Sequence, residues 1–216
     1  GECNNTPLLD HVAKFNKPMI LSTGMNDIES IKTSVETILN HGTPLAVLHC
    51  TSIYPAPPET MRLGAITHLK ETFPDLEIGL SDHSLGISVS LGAVAIGANI
   101  IEKHFTKSRK WPGPDNPFSI EPNELEQLVQ SSKEIWKSRG GRKDILPDEQ
   151  PVIDFAYASV VTIKDIKKGD IFTLDNLWVK RPGTGEILAP EFYSILNKEA
   201  LVDIPSETQL TKEMYK

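Results

Sequence analysis

EIGLSDHS (residues 77–84) and NIIEKHFT (residues 99–106) share one pattern. An apolar body ends in polar, titratable side chains, Ser81-Asp82-His83 in the first run and Glu102-Lys103-His104 in the second. MILSTG (19–24) and LAVLHCTS (45–52) are built alike. An apolar body suits a parallel strand buried on both faces, and a polar tip suits the carboxyl end at which such strands open onto ligand. Function is therefore expected at the strand tips.

Between these runs lie segments of helical period. Asn26-Asp27 can cap a helix through Ile28, Ile31, Val35, Ile38 and Leu39 that ends near Gly42, and residues 58–73 place Met61, Leu63, Ile66 and Leu69 at roughly helical spacing. Residues 87–97 are small and apolar, and residues 121–139 open at Pro122-Asn123 and close at Gly140-Gly141. The order βαβαβαβα predicts an α/β parallel sheet, closed either as an open doubly wound sheet or as a (β/α)8 barrel. No glycine-rich phosphate loop follows the first run, which favours the barrel. Four βα units are half of one. The opening GECNNTPLLD reads as the end of an earlier strand, so the expectation is a fragment whose open sheet edges something else must complete.

The character changes near Lys143. ILPDEQPVIDFAYASVV (145–161) holds prolines and acids without helical period, and from Val160 short β-like runs alternate with turns such as Lys168-Gly169-Asp170 and Pro182-Gly183-Thr184-Gly185. The expected organisation is a half-barrel over 1–142, a linker over 143–157 and a small mostly-β domain over 158–216.

At 216 residues and 39% hydrophobic the chain can bury a sizeable core. Its net charge of -7, with both signs interspersed, offers no basic stripe for nucleic acid. No apolar stretch approaches the roughly 18 residues needed to span a bilayer, so no membrane partner is expected and the simplest location is cytoplasmic. Cys3 and Cys50 lack redox or zinc spacing and read as reduced packing residues.

His83 and His104 stand at the ends of consecutive strands, where a barrel would turn both imidazoles toward one mouth and leave room for a divalent metal between them. Either alone would more simply be a hydrogen-bonded core histidine; their parallel placement raises the metal reading. Strand alternation puts Glu102 on the face of His104 and Lys103 on the other. Ser22-Thr23, Thr51-Ser52 and Ser81 could donate hydrogen bonds to phosphate or carboxylate oxygens, with Lys103 adding charge, although strand-end capping is the commoner fate of such residues. His41 and His68 fall on exposed helix faces; His49, inside LHCTS, could face the barrel.

Several motifs, in register over nearly the whole chain, resemble those of the sialic acid synthase family, which includes N-acetylneuraminate, legionaminate and pseudaminate synthases. They are GECNN (1–5), ILSTGM (20–25), LHCTSIYPAPPE (48–59), GLSDHSLG (79–86), IIEKHFT (100–106), GPD (113–115) and VKRPGTG (179–185). The resemblance implies the second half of a TIM barrel followed by an antifreeze-like (SAF) domain. It implies a transferase that condenses phosphoenolpyruvate with an N-acetylated mannosamine-type sugar, giving a nonulosonic acid and phosphate. His83 and His104 would hold Mn2+ or Mg2+. Ser22, Ser52 and Ser81 fall at phosphoenolpyruvate positions, Tyr54 and Asp115 near the sugar, and Glu2 at a further active-site position. Many bacterial members have Asn at the Ser52 site, so the reach of the serine there would be shorter and its contact would go through water. Phe155 and Arg181 match residues that, in a domain-swapped homodimer, reach into the other subunit's site. The 216 residues alone are expected to be inactive, because the family draws further ligand-binding groups from its first four strands.

Within the family the sugar stays open, between N-acetylmannosamine and a 6-deoxy diacetamido sugar. The loop SRKWPGPDNPFS (108–119), with Trp111 and Phe118, is expected over it. Two other classes remain. A metal-dependent aldolase or hydrolase on a similar barrel would share the histidines without needing the small domain, and a non-catalytic role for that domain would leave turnover unaffected by its deletion.

Overall fold

A computed structural model describes all residues from Gly1 to Lys216, which form two compact units, Gly1–Gly141 and Arg142–Lys216. In the first unit a 3-10 turn (Glu2–Asn4) and α1 (Thr6–Ala13) precede β1 (Met19–Ser22), α2 (Ile28–Leu39), β2 (Leu45–Cys50), α3 (Gly64–Thr72), β3 (Glu77–Asp82), α4 (Ser88–Ala95), β4 (Ile100–Lys103) and α5 (Pro122–Ser138). The strands are parallel in the order β1-β2-β3-β4, with Met19 opposite Leu45, Ala46 opposite Glu77 and Gly79 opposite Ile100. The opening residues are thus helical rather than the end of a strand: Asn5 caps α1 with its side chain, and Pro7 lies in the first turn, where no backbone N–H is needed.

Alternation along the strands sorts the two sheet faces. Leu21, Leu45, Val47, Ile78 and Leu80 share one core with Ile31, Val35 and Ile38 of α2 and Ile66 and Leu69 of α3. Residues of the other parity, Ile20 and Ser22, Leu48 and Cys50, Gly79 and Ser81, Ile100 and Glu102, face what would be a barrel interior. Gly79 is required there, because a Cβ at this position would press on Leu48 Cδ2 at 2.5 Å and on the Ile100 backbone. Asp27 caps α2, its Oδ1 accepting from Ser30 N at 3.0 Å, and Gly42 leaves the far end at φ +71°.

In the second unit a 3-10 turn (Pro147–Glu149) leads into α6 (Gln150–Ala156), followed by β5 (Ser159–Thr162), β6 (Leu177–Lys180) and the one-turn α7 (Phe192–Ile195). Part of the stretch read as an aperiodic linker is therefore helical. Its prolines, Pro147 and Pro151, fall in first turns that tolerate them, and Val152 and Phe155 of α6 stay exposed, which removes the apolar stripe that reveals a helix in sequence. β5 and β6 pair antiparallel, while the β-like runs KKGDIFT (167–173), EALVDI (199–204) and ETQLTKEMY (207–215) contribute only isolated bridges such as Ile171 to Glu199 and Ala200 to Tyr215. This unit packs its own core around Phe172, Leu177, Ile187, Ile195 and Leu210.

Candidate active site at the strand tips

The tips of β2, β3 and β4 bring His83, His104, Tyr54 and Phe118 into one aromatic cluster. The imidazoles of His83 and His104 are 5.2 Å apart between centroids, Tyr54 lies 4.1 Å from His83, and Phe118 packs 5.3 Å from His104. The loop after β2 is pinned to the tip of β3 by Ala56 N, which donates to the His83 carbonyl (2.9 Å), and is closed on itself by Thr51 Oγ1, which donates to the Thr60 carbonyl (2.9 Å).

His83 is buried, and its Nδ1 lies 2.9 Å from the Thr51 carbonyl. A carbonyl only accepts, so Nδ1 carries a proton, and in the neutral ring Nε2 keeps its lone pair. This is the arrangement of a metal-ligating imidazole oriented through its other nitrogen. Asp115 Oδ2 approaches His104 Nδ1 at 3.6 Å, too long for a good hydrogen bond but close enough for the carboxylate to act on the ring electrostatically. The donor set fits a divalent cation held by two nitrogen ligands. No group of three or more His, Cys, Asp and Glu is disposed to cage one, so the remaining positions would fall to water or substrate oxygens, as in open catalytic sites.

Beside the histidines, Ser81 Oγ donates to Glu102 Oε1 at 2.6 Å and Ser22 Oγ reaches the same oxygen at 3.4 Å, so Glu102 gathers two of the three expected serines on one carboxylate. Ser52 Oγ lies 4.0 Å from Cys50 Sγ and hard against Gly24, where any Cβ would collide with it. Ser22, Ser52, Ser81, Tyr54, His83, His104 and Asp115 thus share one face. Glu2 accepts from Asn5 Nδ2 at 2.7 Å on its own turn and makes no hydrogen bond to the tip residues. Phe155, exposed on α6, and Arg181, at the end of β6, belong to the second unit.

Three expectations are corrected. His49 has the parity of Leu45 and Val47, so it faces the helices and its Nε2 donates to the Met61 carbonyl at 2.7 Å; burial pushes its pKa down. Lys103 is no free cation for an anionic ligand, because its Nζ is buried 3.0 Å from Asp82 Oδ2. His41 lies past the end of α2 and meets Asp10 Oδ1 at 2.8 Å instead of facing solvent from the helix.

From sequence Cys50 is expected to be a packing residue. It is reduced and buried, yet it has the parity of the open face and its Sγ lies 3.9 Å from His83 Nδ1. Burial raises its pKa, but hydrogen bonds from His83 and Ser81 and the charge of His83 outweigh burial, leaving the thiol below its ordinary value. Its Cys50 contact raises the His83 pKa against the opposing effect of burial. The available signal was register, which sets Cys50 opposite Ser81.

Fold and site together define a class: half of a (β/α) barrel with a two-histidine site at its carboxyl mouth, joined to a separate small β-rich unit. The chain belongs to the NeuB family, whose profile matches residues 1–144, and a SAF domain follows over residues 157–216. N,N'-diacetyllegionaminic acid synthase of Campylobacter jejuni is 42% identical over 217 residues, covering 99% of this chain and 64% of that protein. Human N-acetylneuraminate-9-phosphate synthase is 35% identical over 216 residues, covering 99% of this chain and 60% of that protein. Among solved structures, the N-acetylneuraminic acid (sialic acid) synthetase of Leptospira borgpetersenii, in complex with citrate, superposes with a TM-score of 0.66 at 39% identity over 70% of this chain and 53% of that one. The chain spans about three fifths of the length of the curated relatives it matches.

Proposed function

We propose that the complete protein condenses phosphoenolpyruvate with an N-acetylated mannosamine-type sugar, releasing phosphate and a nonulosonic acid. The carrying observation is the pair of imidazoles 5.2 Å apart at adjacent strand tips, with His83 Nε2 left free by the bond from Nδ1 to Thr51. His83 and His104 would hold Mn2+ or Mg2+, which when bound supplies Lewis acidity at the sugar's carbonyl oxygen. The hydroxyls of Ser22 and Ser81, which donate to Glu102 in this structure, would turn from it and, with Ser52, donate to the phosphate and carboxylate oxygens of phosphoenolpyruvate. Tyr54 and Asp115 flank the sugar, and Phe118 packs against His104 where it limits the room for sugar substituents. Glu2 completes the site when the preceding strands are present, and Phe155 and Arg181 serve the neighbouring subunit of a domain-swapped dimer.

Identity to the Campylobacter legionaminic acid synthase exceeds that to the human 9-phosphate synthase, which supports a 6-deoxy diacetamido sugar as the second substrate to test. Phosphate release by the full-length protein with phosphoenolpyruvate and each candidate sugar decides the reading. Turnover with one sugar is expected, and none with any of them would refute it. His83→Ala and His104→Ala are each expected to lower turnover at least ~100-fold and to weaken Mn2+ binding, in line with the loss of a ligand or its orienting partner.

A further inference from the structure

Each proposed metal ligand is preceded by a buried charged residue, and the two charges meet. Asp82 pairs with Lys103 in the β3–β4 register, Lys103 Nζ lies 3.0 Å from Asp82 Oδ2, and the side chains are 0% and 3% exposed respectively. Both point toward the helices, away from the imidazoles, so neither can touch substrate or cation. Asp82 also accepts from Ser84 N (2.8 Å), from Ser84 Oγ (2.7 Å) and from Ser90 Oγ of α4 (2.5 Å), while Lys103 Nζ donates to the Ser84 carbonyl at 2.7 Å. The peptide that follows His83 is thereby held from both ends, and the strand carrying His104 is bound to it through the lysine.

We propose that the Asp82–Lys103 pair is a positioning clamp that fixes the spacing of the His83 and His104 imidazoles from behind the sheet. The proposal rests on the reading of those two histidines as a metal site. A core position could hold apolar side chains at no loss of stability, since a buried ion pair is weak evidence for stability by itself. What such a pair adds is a defined geometry between two strand tips. That matters here because the two imidazoles sit on different strands, and their separation must match a single cation.

The test uses the full-length protein, with Mn2+ binding followed by the loss of the free-ion electron paramagnetic resonance signal and with melting of the metal-free form. Replacing both charges at once, Asp82→Asn with Lys103→Met, avoids leaving one charge buried alone. This variant is expected to melt within a few degrees of the native protein and to bind Mn2+ about 10-fold or more weakly, the range seen when orienting partners are lost. Lys103→Arg, which keeps the charge and donors, should restore binding to within about threefold. A folded double variant with native Mn2+ affinity overturns the clamp. If the double variant does not fold, Ser90→Ala decides: it removes one donor to Asp82 and should weaken Mn2+ binding by roughly threefold, and native affinity there overturns the clamp as well. His83→Ala measured alongside separates the two readings, since native Mn2+ affinity in that variant means that the two-histidine site, rather than its clamp, is wrong.

Discussion

His49 and His83 are both buried histidines near strand tips, and one step of strand parity gives them opposite tasks. His49 points into the helix layer, where desolvation lowers its pKa from 6.5. The unfolded chain takes up a proton near pH 6.5 that folded His49 refuses, so stability is complete above that pH and declines as pH falls toward the depressed folded value. His49→Gln keeps a donor for the Met61 carbonyl and cannot titrate; its melting temperature should fall less between pH 7 and pH 5 than that of the native protein. Gly24 offers a second test at this scale. Gly24→Ala displaces the Ser52 hydroxyl, the end of a flexible side chain, and is expected to raise the KM for phosphoenolpyruvate several-fold with little change in melting temperature. An unchanged KM would remove Ser52 from the proposed phosphoenolpyruvate site.

Among the elements, α2 was the most legible from sequence, because an Asp cap, an apolar stripe and a terminal glycine all agree. Asp27→Ala should cost about 1 kcal/mol of stability, measurable as a shifted denaturant midpoint at unchanged slope. Gly79 shows the tighter tolerance of the sheet. Gly79→Ala drives a Cβ into Leu48 and the Ile100 backbone and should destabilise the unit by roughly 1–3 kcal/mol. The segment 150–156 was the least legible, since a helix without a buried face has no period to read. The small unit was harder again, because most of its chain meets through single bridges that no alternating pattern announces.

For the whole molecule, the chain's two units supply two different groups of proposed site residues. If the dimer exchanges its small domains, full-length His104→Ala and Arg181→Ala, each inactive alone, should regain activity when mixed and allowed to exchange subunits, because one site of the mixed dimer then carries neither change. Failure of mixing to restore turnover, with subunit exchange shown by mass, would place Arg181 in its own subunit's site. No helix is long and apolar enough to cross a membrane.

The sequence by itself determined the parallel βα order, the polar strand tips and the two histidines, because period and composition act over a few neighbouring residues and register directly in the chain. Motif likeness added the family. Only the tertiary structure decided which side of the sheet each tip residue serves: Cys50 beside His83, His49 among the helices, Lys103 bound to Asp82, and three serines around Glu102 and Gly24. Those partnerships join residues from different strands, and a contact between strands is set by packing and register rather than by local sequence.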